Sequence, residues 1–345
     1  RVKKMLGTGP FMFKRENKGV SVEMVRNPNY WDKGLPYLDG IIHYIISDDL
    51  AIEGALRTKR IDMLLPTIHE LKGASLRKVL KDLPDLKWDE HPVTSHRWLW
   101  PQNEKAPWND VRVRRALLLA IDKWEVIEIA QQGAGIVGGY LQPGSGWEFP
   151  VDELAKRPGY HAPTANDIAE ARRLLKEANF PFEKEWPIIV RADVKYMRNA
   201  AEVLVAHLKK LGIKTKLDPE EVGTFYNRAY AGDFDLMMMG NTMEMSDPDI
   251  VIGQSYLSGL AANYGKYSNP RVDELFMKQQ VTLDLGERRR LVREIEDILF
   301  RDITRVSLWW DMDQTLWWPW VRDYTVPNNR YANKEYRTVW LADRY

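Results

Sequence analysis

The first part of the chain alternates apolar and polar residues with a period of two, as β-strands do. Residues 11–13 and 20–25 alternate in this way on the two sides of Lys18-Gly19, so the pattern predicts a β-hairpin. Residues 41–46 form an apolar run of strand length, and a helical pattern follows at residues 50–58. This succession of strands and helices predicts an α/β protein.

Helical spacing dominates after Asp110. Apolar residues at 113, 116, 117 and 120 share one helix face, whereas the arginines at 112, 114 and 115 fall elsewhere. Asp122 with Glu125, and Thr164 with Asp167, have the spacing of N-terminal capping residues and predict two further helix starts.

The clearest supersecondary pattern is a βαβ unit. A strand at 188–192, a helix at 198–211 that ends before Gly212, and a strand at 213–217 follow one another. The pattern continues with a helix at 222–231, an apolar strand at 234–239, helices at 272–282 and 287–301, and a strand at 306–310.

Composition and charge exclude several function classes. The 345 residues include 50 basic and 49 acidic side chains, and a net charge of +1 gives no electrostatic attraction for nucleic acid. Cysteine is absent, which excludes disulfides, thiolate metal sites and a cysteine nucleophile. No apolar run approaches the roughly 20 residues of a membrane span, and no P-loop, dinucleotide or serine-hydrolase motif is present.

The strongest candidate for a binding site is the loop at 240–248. It follows the strand at 234–239, and ligands of open α/β sheets bind beyond the carboxyl ends of the strands. Asn241, Thr242 and Glu244 are its candidate ligand-binding residues. Arg198 is a weaker candidate, since it follows another strand at the start of a helix, where an anion is favoured.

Tryptophan is abundant, with 14 residues, and some of these side chains are expected to contact a ligand. The candidates are Trp98 and Trp100 in a proline-bounded extended segment, Trp147 in the Gly/Pro-rich loop at 133–150, and Trp309 with Trp310 in the last strand. His91 and His96 form the closest histidine pair, but the proline between them argues against a helical metal site. No metal and no cofactor is expected.

Three blocks carry a resemblance to a known family: Gly7 to Phe11 (GTGPF), Glu23 to Trp31 (EMVRNPNYW), and Asn109 to Leu117 (NDVRVRRAL) with Ala120-Ile121-Asp122. In this order the chain resembles the extracellular solute-binding proteins of peptide, dipeptide and nickel ABC importers. The resemblance continues through the stretches ARRLL at 171–175, GDFDL at 232–236 and SDPD at 246–249, and therefore covers most of the chain.

The resemblance implies a two-lobed, type II periplasmic-binding-protein-like fold with part of the first lobe missing. Residues 1–95 would belong to lobe I, residues 96–310 to lobe II, and residues 311–345 would return to lobe I. It also implies that the chain is truncated at its N-terminus. A secretion signal, and in some relatives a lipid-bearing cysteine, would precede Arg1, and the protein would be periplasmic or extracellular.

The resemblance implies a protein that binds a solute without reacting with it. A monomer would close its lobes on a peptide-like solute and deliver it unchanged to a membrane permease. In peptide-binding relatives an aspartate in the loop after the strand pairs with the ligand's α-ammonium group, and its place here falls on Glu244. This substitution leaves the preference for a free amine open.

Two other functions stay open at this point. An oligosaccharide ligand would suit the tryptophans and Glu244, whereas a nickel or other metal complex has no support from the histidines. A carbohydrate-cleaving enzyme would need two carboxylates about 5 to 9.5 Å apart across a cleft. Asp311 and Asp313 are the only suggestive pair, but a period of two places both on one strand face.

Overall fold

The computed structural model describes residues 7–65, 71–326 and 336–343. The chain divides into two compact units: unit 1 is Arg1–His91 with Asp313–Tyr345, and unit 2 is Pro92–Met312. The predicted return segment at 311–345 lies only partly within the described residues.

Unit 1 begins with the predicted hairpin, which is confirmed. The first two strands pair antiparallel with Phe11 opposite Arg26, and Gly19 adopts a φ of 74° in the turn, a conformation that glycine adopts readily. Its elements are β1 (Phe11–Asn17), β2 (Ser21–Arg26), β3 (Gly40–Tyr44), α1 (Asp49–Arg57), β4 (Met63–Leu64), α2 (Gly73–Asp82), the start of β5 (Lys87–Pro101), the end of β10 (Val306–Trp317), β11 (Val321–Arg322) and β12 (Trp340–Leu341).

Unit 2 contains the rest of β5 and β10 and the elements between them. These are α3 (Val111–Ala120), α4 (Lys123–Gln131), β6 (Gly135–Ile136), α5 (Val151–Leu154), α6 (Ala165–Glu177), β7 (Glu185–Arg191), α7 (Lys195–Lys210), β8 (Lys214–Glu220), α8 (Val222–Ala231), β9 (Leu236–Thr242), α9 (Pro248–Gly253), α10 (Pro270–Gln280) and α11 (Leu285–Asp302).

The sheet of unit 2 has the strand order β10-β5-β9-β7-β8, and β6 pairs with β10. Strands β7 and β8 run parallel and are joined through α7, which confirms the predicted βαβ unit. Strand β9 is also parallel to β7 and is antiparallel to β5. The carboxyl ends of β7, β8 and β9 therefore meet at one edge of the sheet.

Alternate side chains of these strands supply two separate cores. Leu236 and Met238 pack with α3, α4, α6 and α7, whereas Met237 and Met239 pack with α8 to α11. Trp309 and Trp310, adjacent in β10, divide between the same two cores. The period of two thus covers the sheet with helices on both faces, and the predicted α/β class is confirmed.

The predicted helix starts at Asp122 and Thr164 are confirmed. Thr164 and Asp167 form a reciprocal capping box at α6, and the Asp122 side chain accepts hydrogen bonds from the Trp124 and Glu125 amides.

The last strand differs from its prediction. It continues past Trp310 to Trp317 because it pairs first with β6 at Trp310 and then with β4 at Trp317. Helix α7 also starts earlier than predicted, at Lys195, because Val194 is the extended residue that precedes it.

Candidate functional site

The candidate site lies where β9 ends at the carboxyl edge of the parallel strands of unit 2. Asn241 and Thr242 are the last two residues of β9, and the loop at 243–247 connects them to α9. The loop begins in register with β5, because the Met243 amide donates to the Thr94 carbonyl at 2.8 Å and the Thr94 hydroxyl donates to the Met243 carbonyl at 2.6 Å. The start of the loop is therefore held by the sheet.

Both side chains at the strand end are held in place by hydrogen bonds. The Asn241 amide group donates to the Ser255 hydroxyl at 2.8 Å, and the Thr242 hydroxyl lies 2.8 Å from the Ser95 hydroxyl. Asn241 and Thr242 are half-buried. The side-chain oxygen of Asn241, Oδ1, accepts no hydrogen bond within the described part of the chain and can accept one from a ligand.

Glu244 is exposed in the same loop. One of its carboxylate oxygens, Oε2, accepts a hydrogen bond of 3.2 Å from the Gln254 side chain, at the end of α9. Its other oxygen, Oε1, has no hydrogen-bond partner among the residues described. A carboxylate held in this way can accept a charge-assisted hydrogen bond from an ammonium group.

The loop ends in a cap that also receives an arginine. Asp247 is the N-cap of α9 and accepts a 2.9 Å hydrogen bond from the Asp249 amide. The Arg288 guanidinium donates to both Asp247 oxygens, at 2.7 and 3.2 Å. Burial alone would raise the pKa of Asp247, but the bonds from Arg288 and from the Asp249 amide lower that pKa below its usual value. Asp247 therefore stays ionised.

Trp147 and Arg198 lie in other segments of unit 2. Trp147 is partly buried against the core formed with α8 to α11, and its ring lies 4.8 Å from the Arg288 guanidinium carbon. Arg198 lies in the first turn of α7, half-buried, and its side chain forms no hydrogen bond or ion pair within residues that the structure describes. The structure links Trp147 to the loop of Glu244 through Arg288.

The four remaining candidates are core residues of unit 2. Trp98 and Trp100 are 2 % and 1 % exposed, and Trp309 and Trp310 are 0 % exposed. Trp100 stacks on the Arg305 guanidinium at 3.5 Å, and the Trp310 ring nitrogen donates to the Gly139 carbonyl at 3.1 Å. Sequence periodicity could not show this burial, since both faces of the sheet are covered. Their predicted contact with ligand stays a prediction.

His96 is also buried, and its imidazole lies between two tryptophans. Its ring centroid is 3.5 Å from that of Trp98 and 3.9 Å from that of Trp310, and Nε2 lies 2.8 Å from the Ser307 hydroxyl. Burial and the nearby charges of Arg305 and Arg97 lower the pKa of His96 well below its usual value, so its ring stays neutral. Across residues 7–65, 71–326 and 336–343, no group of three or more His, Cys, Asp or Glu side chains could hold a metal ion.

Asp311, one of the two acids considered for glycoside cleavage, is buried and paired. It is 4 % exposed, forms an ion pair with Arg97, and accepts a 2.8 Å hydrogen bond from the Trp309 ring nitrogen. Asp313 is 0 % exposed. A general acid must reach the bond it protonates, and neither carboxylate is accessible for that role.

The model of the family described as bacterial extracellular solute-binding proteins, family 5 (middle), matches residues 1–263. The chain belongs to this family. The resemblance carried by the GTGPF, NPNYW and DVRVRRAL blocks is thereby confirmed.

Several curated proteins are similar to the chain over most of its length. It is 29 % identical over 306 residues to di/tripeptide-binding protein 1 of Pseudomonas aeruginosa, covering 86 % of this chain and 54 % of that protein. It is 27 % identical over 320 residues to the periplasmic oligopeptide-binding protein OppA of Salmonella typhimurium, covering 91 % and 57 %. Heme-binding protein A of Haemophilus influenzae is 28 % identical over 303 residues, covering 85 % and 52 %. The chain thus spans about half the length of these relatives.

Solved structures confirm the fold. A putative peptide-binding protein AppA from Clostridium difficile aligns with a TM-score of 0.81 at 20 % identity, covering 97 % of this chain and 67 % of that one. The periplasmic binding protein DppA from Helicobacter pylori, in complex with the peptide STSA, aligns with a TM-score of 0.77 at 23 % identity, covering 97 % and 63 %. The predicted periplasmic-binding-protein fold is therefore confirmed.

No helix within the described residues combines the length and the apolar composition that a membrane crossing needs. Two residues that contact the candidate site could not be identified from the sequence. Arg288 and Gln254 contact the loop from α11 and from the end of α9, and no local pattern distinguishes either from an ordinary surface residue of a helix.

Proposed function

We propose that the chain is part of the solute-binding component of an ABC importer and that it takes up a peptide-like solute. The protein would close on its ligand and deliver it to a membrane permease without chemical change. The single observation that carries this proposal is the Glu244 carboxylate, which lies in the loop after β9 with one oxygen held by Gln254 and one oxygen open to a ligand.

Membership in family 5 supports the proposal, as do the relatives named for di- and tripeptides and for oligopeptides. In this assignment Glu244 binds the α-ammonium group of the peptide, and the side-chain oxygen of Asn241 accepts a hydrogen bond from a peptide amide. Thr242 keeps the strand end in register with Ser95. Trp147 offers one indole edge to a ligand side chain, and Arg198 offers a cation to the carboxyl terminus.

A heme ligand, named for one relative, has no comparable support in the site. Histidine is a common axial ligand of heme iron, and His96, which lies opposite Asn241 in the sheet, is enclosed between Trp98 and Trp310 with Nε2 next to Ser307. We therefore propose a peptide rather than a heme.

The test is to identify the solute that copurifies with the full-length protein by mass spectrometry, and then to titrate the emptied protein with trialanine in a calorimeter. We expect recovered peptides and saturable binding of trialanine with no cleavage products. Recovery of sugars or of heme, together with no heat from any di- or tripeptide, would overturn the peptide assignment. Release of alanine or dialanine would overturn the transport role.

A further inference from the structure

Arg288 contacts the two loops that carry candidate ligand residues, although these loops are far apart in sequence. Its Nη2 lies 2.7 Å from Asp247 Oδ1, three residues after Glu244, and its guanidinium carbon lies 4.8 Å from the centre of the Trp147 ring. Arg288 belongs to the first turn of α11, a helix that carries none of the predicted site residues.

The guanidinium is itself held from two further sides. Its Nε donates to the Gln279 Oε1 at 2.9 Å, and its Nη2 lies 3.4 Å from Asp249 Oδ1. Gln279 is fully buried and donates in turn to Asp249. Planar donors in a fixed fork can satisfy a bidentate carboxylate and a stacked ring at once, which an ammonium group cannot do.

Local hydrogen bonds join the residues around Trp147, so a contact there affects more than one side chain. Glu148 accepts hydrogen bonds from the Gly144 amide at 2.8 Å and from the Ser145 hydroxyl at 3.0 Å. The Trp147 amide donates to the Ser145 hydroxyl at 3.2 Å. Holding the indole against Arg288 therefore holds the whole turn.

We propose that Arg288 is a positioning residue of the ligand site, which sets the loop of Glu244 and the turn of Trp147 relative to each other through one guanidinium. It makes no contact with ligand itself. The inference rests on the proposed peptide function, because the position of Glu244 affects affinity only if the ligand presents an ammonium group.

Arg289 supplies a matched control. It is the next residue of α11, it is exposed, and its guanidinium carbon lies 5.9 Å from the Trp147 ring. It forms no hydrogen bond or ion pair with any residue that the structure describes. Arg289→Met thus removes the same charge from the same helix turn without breaking the links to Asp247 and Gln279.

The experiment compares full-length wild type, Arg288→Met, Arg288→Lys and Arg289→Met for their affinities toward trialanine and N-acetyl-trialanine. We expect wild type and Arg289→Met to bind the free amine at least about tenfold more tightly, as a charge-assisted bond implies. In Arg288→Met this ratio should fall to about one. Arg288→Lys should recover little of it, since its ammonium cannot form the fork.

Stability and hydrogen exchange separate positioning from folding. We expect Arg288→Met to remain folded in the absence of urea but to unfold at a lower urea midpoint than Arg289→Met, because it leaves the buried Gln279 oxygen without a donor. Amide exchange at residues 243–250 and 144–148 should accelerate only in Arg288→Met. An unchanged free-amine preference in Arg288→Met would overturn the inference. An equal loss of affinity for both peptides would also overturn it, since a general loss of structure would not discriminate the free amine from the acetylated one.

A double-mutant cycle with Asp247→Asn tests the route. If Arg288 acts through Asp247, the double variant should lose no more free-amine preference than Arg288→Met alone, whereas additive losses would contradict this route.

If wild type binds no peptide at all, the proposed function fails, and the amide exchange rates of the two loops then show whether Arg288 holds them. Unchanged exchange in Arg288→Met would show that Arg288 does not hold the loops.

Discussion

Gly240 on β9 lies directly opposite Arg97 on β5, and the Arg97 side chain occupies the space where a Cβ of residue 240 would lie. A methyl group there would also lie 2.7 Å from the His96 carbonyl oxygen, which is backbone and cannot move aside. The absence of a side chain at Gly240 leaves the space that the Arg97 side chain occupies, and Arg97 pairs with Asp311 of β10.

We predict that Gly240→Ala lowers the free energy of unfolding by about 1 to 3 kcal/mol, because the extra methyl group overpacks a buried ion pair. Urea unfolding followed by circular dichroism measures the change. Gly223→Ala in α8 is the control, since the nearest atom to its Cβ would be 3.6 Å away, and it should leave stability unchanged or slightly higher. A Gly240→Ala protein as stable as this control would contradict the prediction.

Arg114, within the DVRVRRAL block, is buried and caps the end of another helix. Its guanidinium donates to the carbonyls of Asp302 and Ile303, where α11 ends, and to the Trp108 carbonyl at 2.8 Å. Arg114→Met leaves these buried carbonyls without a donor, so we expect a loss of about 3 kcal/mol or more in the free energy of unfolding. The measurement is urea unfolding at neutral pH.

Arg112→Met supplies the comparison for Arg114. Arg112 is exposed and pairs with Asp110, the cap of its own helix, so its loss should cost at most about 1 kcal/mol. If both substitutions cost the same, the carbonyls bonded to Arg114 do not depend on it.

Glu296 makes stability depend on pH. It is 0 % exposed in α11, and burial raises its pKa to about 8, although the charges of Arg293 and Arg157 and the Leu141 amide oppose this shift. In the unfolded chain the pKa of glutamate is about 4.3. Between about pH 4.3 and 8 the folded state therefore keeps a proton that the unfolded state has already released. The stability contributed by this group is lost as the pH rises through that window.

Glu296→Gln should remove this loss, because a neutral amide of the same shape can still accept from the Leu141 amide. We expect the variant to gain stability relative to wild type as the pH rises from 5 to 8, by an amount on the order of 4 kcal/mol. Urea midpoints at several pH values give the curve. Glu294→Gln, whose carboxylate has its pKa lowered by Arg271, should show no such rise over the same range.

Glu244→Ala tests the ligand contact directly. In the full-length protein we expect trialanine to bind about tenfold or more weakly, while N-acetyl-trialanine is unaffected, because only the free amine can bond to the lost carboxylate. Calorimetry measures both affinities. Glu153→Ala, an exposed acid of α5, should change neither. Unchanged trialanine binding by Glu244→Ala would remove Glu244 from the site.

Local patterns were sufficient to predict most of the fold. Capping at Thr164 depends on residues three positions apart, and the βαβ unit of β7, α7 and β8 depends on spacings within one stretch, so both could be predicted. The burial of Trp98 and the pairing of β10 with β4 depend on segments distant in sequence, and single-strand periodicity contains no information about them.

The candidate site also combines features set by neighbouring residues with features set by segments distant in sequence. The position of Glu244 at a strand end could be inferred from the sequence, because the strand and its loop are continuous. The contact of Arg288 with Asp247 could not, because these residues are 41 positions apart and each has an ordinary local role, in the first turn of one helix and as the cap of another.

Strand β9 fixes the register of two cores at once. Met237 and Met239 point to one set of helices while Leu236 and Met238 point to the other. Deletion of a single residue from this strand would exchange all four side chains between cores of different shape, so neither half of unit 2 could adapt without disturbing the other. We infer that evolution changes this strand only by substitution and not by insertion or deletion.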